Sequence, residues 1–167
     1  MKKNQFFILI LILFCSCNYI FEHAYGVRVV NRSSLKQIAC ILKLDYSIND
    51  QVSEGDMFSI GTTQVCFRRD DPRDWRMFLP DSVCIYIIDP SFFNDNFFEE
   101  ITADTPITVN VARRINDNPE CIVAKYYLSE EQFIEGYGNK FFPPNESMKE
   151  TVRMWPSYDE IISKYGN

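Results

Sequence analysis

The feature that most constrains the fold of this chain is the segment SVCIYII at residues 82–88. This run is almost continuously apolar and rich in β-branched side chains. Such a short apolar run is typical of a strand that is buried on both faces. The segment is therefore predicted to be a strand at the centre of a β-sheet.

Shorter strand patterns surround this central segment. Residues 25–30 and 36–44 are apolar and lie on either side of the polar turn NRSS at 31–34, which predicts a β-hairpin. Further strands are predicted at 57–60, 62–68, 105–112 and 121–127. The FFPP segment at 141–144 is predicted to be extended, and its prolines favour the edge of a sheet.

Short helices are predicted between and after the strands. Asp89 and Pro90 are a suitable N-cap and first residue for a helix over 89–101. A Ser-x-x-Gln capping box at 129–132 predicts a second helix, and Ser157 with Glu160 predicts a third. Because strands predominate, the predicted fold is mainly β: an antiparallel β-sandwich-like domain with two or three short helical insertions.

The N-terminus has the pattern of an exported lipoprotein. Lys2 and Lys3 precede an apolar run at 6–14, which is too short to span a bilayer. Ser16 before Cys17 resembles a lipobox, in which a small residue precedes the cysteine that is acylated, with palmitate among its chains. We therefore predict lipidation at Cys17. Cys15 is the other candidate, although bulky Phe14 precedes it, and a plain signal peptide is the alternative.

These features predict three parts of the chain: a signal peptide at 1–16, a lipidated tether at 17–26 and one β-rich globular domain at 27–167. Several acyl chains on one cysteine give stable membrane anchoring. No run of acidic residues follows Cys17. The predicted location is therefore the bacterial cell envelope, at the outer membrane and facing the periplasm.

The charge of the chain argues against nucleic acid as a partner. The formal net charge is −6, and removal of Lys2 and Lys3 with the signal makes the mature chain still more negative. An acidic domain gains nothing from neutralising phosphates, and anionic lipid surfaces are disfavoured for the same reason.

Four cysteines remain beyond the lipidation site, and their even number in an exported protein predicts up to two disulfides. The alternative is buried free thiols, because most of them lie in strand-like apolar segments. The only histidine is His23 and no C-x-x-C motif occurs, so neither a metal nor a cofactor is predicted. The four candidates are Cys40, Cys66, Cys84 and Cys121.

Several short motifs of the mature chain resemble those of uncharacterised small lipoproteins of Bacteroidetes. They are NRS at 31–33, DS at 81–82, YLS at 127–129, PP at 143–144 and MWP at 154–156. The resemblance covers most of the mature chain and implies an envelope location. It implies no activity and no catalytic residues, and the cysteine set departs from the group.

The residues needed for hydrolytic catalysis are poorly represented. A Ser-His-Asp or Cys-His site would have to use His23 in the tether, and no G-x-S-x-G motif occurs. The carboxylate pairs at 70–71, 99–100 and 130–131 are sequence neighbours, which point apart on a helix rather than into one cleft. They are therefore interpreted as solvated faces and caps.

Two surface features are candidates for binding or modification. The loop at 68–76 alternates arginine with aspartate, and Trp75 with Arg73 and Arg76 could stack against a sugar or an extended peptide. A surface loop whose charges pair with one another is the alternative. Ser82, within the triplet DSV, resembles an O-glycosylation site, although the same serine can simply begin the strand.

Together these observations predict a lipid-anchored, non-catalytic envelope protein whose β-sandwich binds a protein or glycan partner. Two other hypotheses remain open: a polysaccharide-acting hydrolase or its accessory subunit, and a structural subunit that assembles by strand addition.

Overall fold

The computed structural model describes residues 25–43, 51–69, 82–93, 105–129, 132 and 139–166. Within these ranges the chain forms nine strands and three α-helices, with single 3-10 turns at Pro90–Phe92 and Pro119–Cys121. The strands are β1 Tyr25–Asn31, β2 Ile38–Lys43, β3 Met57–Gly61, β4 Gln64–Arg69, β5 Ser82–Ile88, β6 Thr105–Pro106, β7 Ile122–Ser129, β8 Asn139–Phe142 and β9 Arg153–Trp155. The helices are α1 Val109–Asn116, α2 Glu146–Thr151 and α3 Tyr158–Tyr165.

The strands form two sheets. The large sheet has the order β6-β3-β2-β5-β7-β9, and all of its pairs are antiparallel. The small sheet has the order β4-β1-β8, in which β1 pairs antiparallel with β4 and parallel with β8. The predicted mainly β, sandwich-like fold is confirmed, and β5 lies in the interior of the large sheet, as its apolar sequence predicts.

One face of β5 packs into the core between the two sheets. Val83, Ile85 and Ile87 are fully buried there. Side chains on β1, β4 and β8 of the small sheet belong to the same cluster: Val27, Val29, Val65, Phe67 and Phe142. Burial of one such side chain contributes about 1.5–3 kcal/mol, so this face holds the sheets together.

The opposite face of β5 belongs to a second apolar cluster. Cys84, Tyr86 and Ile88 are also fully buried, because alternate residues of a strand point to opposite faces. Helix α1 covers part of this face with Val111, Ala112 and Ile115. The domain therefore has three layers over this region: small sheet, large sheet and helix.

The predicted hairpin between residues 25–30 and 36–44 is wrong. Strand β1 joins the small sheet and β2 joins the large one, so the intervening turn crosses from sheet to sheet. Asn31 organises this crossing: its Oδ1 accepts hydrogen bonds from Ser33, and its Nδ2 donates to Leu35 O at 3.0 Å. The same Nδ2 donates to Thr62 O at 2.9 Å, in the nearby crossing from β3 to β4.

The predicted strand at 105–112 is wrong beyond Pro106. Helix α1 begins at Val109, with Thr108 as its N-cap, whose side chain accepts from Val111 N at 3.4 Å. The segment ITVNV is rich in β-branched residues, which favour strands. Tertiary packing overrides this preference, because Val111, Ala112 and Ile115 lie on the helix face that meets the large sheet.

The three predicted helix starts are partly confirmed. Asp89 accepts a hydrogen bond from the backbone N–H two residues later, but only a 3-10 turn follows before the described residues end. Ser129 and Gln132 form the predicted capping box, although the rest of that helix lies outside the described residues. Ser157 and Glu160 form the second capping box, which opens α3.

The C-terminal helices are joined by polar contacts across their exposed surfaces. Lys149 on α2 forms an ion pair with Asp159 on α3 at 3.1 Å. Tyr158 donates a hydrogen bond to Glu146 Oε1 at 3.0 Å. Strand β9 lies between these two helices in the chain, so both of its ends are attached to this helix pair.

The segment at 51–56 is fixed to α1 by a pair of hydrogen bonds. Asn116 Oδ1 accepts from Val52 N at 2.9 Å, and Asn116 Nδ2 donates to Val52 O at 2.8 Å. The side-chain amide thus satisfies both backbone groups of a residue whose side chain is buried.

Replacement of Asn116 by alanine should lower the free energy of unfolding by about 1–3 kcal/mol, because two buried backbone groups lose their partners. Urea denaturation of the mature chain measures this loss. Asn110→Ala, at an exposed position of the same helix, is the matched control and should change stability by less than about 0.5 kcal/mol. Equal losses in the two variants would contradict the assigned role of Asn116.

Candidate functional site

Four of the nine site residues predicted from the sequence lie outside the described residues. These are the lipidation site Cys17 and the candidate binding residues Arg73, Trp75 and Arg76. Ser82 begins β5 and is opposite Ser129 of β7. Its modification stays a prediction.

The four remaining cysteines are all described, and none of these four forms a disulfide in the structure. Cys40 lies in the core between the sheets, whereas Cys84 and Cys121 lie in the cluster on the other face of the large sheet. Cys84 is opposite Tyr127, while Cys121 directly precedes Ile122 at the other end of β7. Tyr127 and Ile122 are five residues apart along β7, a distance of about 17 Å that is far beyond the reach of a disulfide. Disulfide pairing of the cysteines in the cell stays a prediction, but this geometry disfavours a bridge between Cys84 and Cys121.

Two of these thiols are strongly biased towards the protonated form. Burial raises the pKa of Cys121 to about 12, and the nearby charges of Glu120 and Asp89 add to the rise. Burial also raises the pKa of Cys40, with a further contribution from Cys66. Since the thiolate is the reactive form of cysteine, Cys40 and Cys121 are poor nucleophiles at neutral pH.

A polar cluster at the end of β2, formed by Lys43 and the segment 51–56, is structural. Lys43, which is buried, donates from Nζ to Gln51 O at 2.6 Å and to Ser53 Oγ at 3.2 Å, and it lies 3.9 Å from Asp56 Oδ2. Burial raises the pKa of Asp56, while the backbone N–H of Ser53 and the charge of Lys43 oppose the rise. Glycoside cleavage requires a second carboxylate facing the first, and in the described ranges Asp56 meets a lysine instead.

The most distinctive surface lies on β5, β7 and β9, on the face of the large sheet that α1 also covers in part. Strand register forms two rows across it: Tyr86, Lys125 and Trp155 in one, and Cys84, Tyr127 and Arg153 in the other. We call five of these residues the cation–aromatic face: Tyr86, Lys125, Tyr127, Arg153 and Trp155.

The first row passes from the core to the solvent. Tyr86 is 0% exposed, Lys125 is 8% exposed and Trp155 is 52% exposed. Lys125 Nζ lies 4.9 Å from the centre of the Tyr86 ring and 5.3 Å from that of Trp155. The ammonium group is therefore held between two aromatic rings by cation–π attraction, which strengthens when water is excluded.

The second row presents a cation at the surface. Arg153 is exposed, and its guanidinium carbon lies 4.2 Å from the centre of the Tyr127 ring. Stacking covers one face of the guanidinium but leaves its in-plane N–H groups available, and these form two parallel bonds with a carboxylate. The described ion pairs join Lys43 to Asp56 and Lys149 to Asp159, so Arg153 is not neutralised within that part of the chain.

This arrangement is suited to binding. Trp, Tyr and Arg are the residue types that dominate binding energy at protein interfaces. Strands β5, β7 and β9 contain no acidic residue, although the whole chain has a net charge of −6. The cation–aromatic face is therefore a locally positive, partly apolar area on an acidic protein.

The free energy of unfolding should fall as the pH rises above about 8.5, the ordinary pKa of a thiol. Cys40 and Cys121 have raised pKa values when folded, so above this pH they ionise only in the unfolded chain, which becomes more stable. Each such thiol should lower stability by about 1.4 kcal/mol per pH unit. Urea denaturation between about pH 8 and about pH 10 measures the slope.

Two comparisons check this assignment. Cys121→Ala should lower the free energy of unfolding at every pH, because it leaves a cavity. Above about pH 8.5, however, stability should fall less steeply with pH than in the unsubstituted chain, because one of the two contributing thiols is absent. A profile that is flat under oxidising conditions and becomes steep only after reduction would contradict the free thiols and support a disulfide instead.

Among the described residues, no helix has the length and apolar character required to cross a membrane. The same part of the chain contains no group of three or more His, Cys, Asp or Glu side chains placed to hold a metal ion. Comparisons with models of protein families, with curated proteins and with solved structures found no match to this chain.

Proposed function

We propose that this chain is a lipid-anchored, non-catalytic protein of the bacterial cell envelope that binds a partner through its cation–aromatic face. The observation that carries the binding role is the row of Tyr86, Lys125 and Trp155, which leads from a fully buried ring to a half-exposed one. The anchor and the location rest on the N-terminal sequence, where Cys17 follows Ser16 behind a short apolar run.

The composition of the face supports binding more than chemistry. Binding surfaces need rigid aromatic side chains and a cation with available donors, and Trp155 and Arg153 provide them. A hydrolase acting on polysaccharides needs two carboxylates around one cleft. Among the described residues, the carboxyl group with a raised pKa is that of Asp56. This group already contacts Lys43 and accepts a hydrogen bond from the backbone N–H of Ser53.

Assembly by strand addition remains the second proposal, and the sheet edges bear on it. The outward backbone groups of Phe141 on β8 are already satisfied: its N–H donates to Met148 Sδ at 3.2 Å, and its carbonyl accepts from Tyr126 at 2.8 Å. Strand β9 ends the large sheet on the side of the cation–aromatic face. An added strand would therefore contact that face as well.

The binding role is tested by a photo-reactive amino acid placed at Trp155 in living cells. Illumination should crosslink position 155 to one envelope component in a saturable manner, and Arg153→Ala in the same chain should reduce the yield several-fold. Gel analysis of the membrane fraction followed by mass spectrometry measures the product.

Position 109 provides a matched control for this experiment. Val109 on α1 is 52% exposed, the same fraction as Trp155, but it lies outside the cation–aromatic face. Crosslinks of equal yield from both positions, or no crosslink from position 155, would contradict the proposed binding surface.

The lipid anchor is tested by substitution of the two N-terminal cysteines. Cys17→Ser should move the protein from the membrane fraction to the soluble fraction, because acyl chains provide the stable attachment. Cys15→Ser is the control and should leave the protein in the membrane, since this residue is removed with the signal. The intact mass of the extracted protein should equal that of residues 17–167 plus acyl chains, and an unlipidated mass would refute the anchor.

A further inference from the structure

We propose that the cation–aromatic face and the adjacent β9 edge bind an extended acidic peptide segment of a partner protein. In this arrangement a carboxylate of the peptide pairs with Arg153, and an apolar side chain two residues along packs on Trp155. The inference rests on the proposed binding function and specifies the chemical class of the partner.

The spacing of the two exposed side chains fits an extended chain. Arg153 and Trp155 are two residues apart on one strand, so they project from the same face about 7 Å apart. Alternate side chains of an extended peptide have the same spacing. A segment that alternates acidic and apolar residues therefore matches both positions at once.

The edge position of β9 supplies backbone contacts for such a segment. Within the described strands, β9 is the last in the large sheet and pairs only with β7. Peptides that add to a sheet edge gain affinity from main-chain hydrogen bonds and specificity from alternate side chains. Since β9 has only three residues, these hydrogen bonds are few, and the side chains must provide much of the selectivity.

The positive charge of the face favours a negatively charged partner. Arg153 is at the surface and Lys125 lies beneath the Trp155 ring, while β5, β7 and β9 have no acidic side chain. A cationic ligand would bind the Trp155 ring by cation–π attraction, but Lys125 already makes this contact with the ring. A basic peptide or a quaternary ammonium group is therefore disfavoured, and an acidic ligand is attracted.

A fluorescence titration tests the proposal directly. The chain has two tryptophans, so Trp75→Phe leaves Trp155 as the only indole reporter. The probes are an octapeptide that alternates Asp and Val, its counterpart that alternates Lys and Val, and polygalacturonate as an anionic glycan. The Asp-Val peptide should change the Trp155 emission saturably, whereas the other two should not.

Charge reversal on the face provides the matched comparison. Arg153→Glu should weaken binding of the Asp-Val peptide by about tenfold or more, because like charges then face one another. It should also improve binding of the Lys-Val peptide. Arg113→Glu on α1 makes the same change in net charge at another exposed position and should leave both affinities unchanged. Thermal denaturation confirms that each variant is folded.

The remaining outcomes separate this inference from the proposed function. Saturable binding of polygalacturonate alone, or equal affinity for both peptides, would overturn the peptide assignment. Self-association that Arg153→Glu abolishes would show that a second copy occupies the face. If position 155 crosslinks to an envelope component in cells but the Asp-Val peptide does not bind, the binding function stands and this inference fails. If both experiments are negative, both proposals fail.

Discussion

The burial of β5 on both of its faces is the constraint on which the rest of the structure depends. The inner residues Val83, Ile85 and Ile87 require the small sheet, and the outer residues Cys84, Tyr86 and Ile88 require a cover of their own. Helix α1 provides that cover towards β2 and β3. On the side towards β9, the same face is covered by side chains instead of a helix: Lys125 lies between the rings of Tyr86 and Trp155. The candidate binding surface is thus the part of a core face that the fold leaves partly open.

Several polar side chains in and around this core have specific partners, because an unsatisfied buried group costs about 1–3 kcal/mol. Tyr126 lies on the inner face of β7 and donates to Phe141 O on β8, which links the large sheet to the small one. Lys43 is surrounded by acceptors from residues 51–56. Asn31 makes hydrogen bonds in both crossings between the sheets. These contacts fix how the layers meet, while apolar burial supplies most of the stability.

Features encoded within a few neighbouring residues were predictable from the sequence. The central strand at 82–88, the edge strand before Pro143 and the two capping boxes depend on local pattern alone. The β1–β2 hairpin was wrong because a polar turn does not reveal whether the chain reverses or crosses to another sheet. Helix α1 was missed because the β-branched residues around Val111 favour strands locally. The cation–aromatic face depends on register between residues 86, 125 and 155, which no local pattern specifies. The triplet RMW before Pro156, which places Arg153 and Trp155 two residues apart, was a weak signal.

The parallel pairing of β1 with β8 has a consequence for the order in which the domain can form. Arg28 lies opposite Asn139, so the first and the eighth of the described strands are neighbours in the small sheet although more than 100 residues separate them in the chain. During synthesis, the inner face of β5 has no complete cover until most of the chain has been made. Contacts between such distant residues slow folding, since a large loop must close before they form. The nascent chain therefore exposes its most apolar strand for a long interval, and a chaperone that holds unfolded chains would protect it from aggregation until β8 arrives.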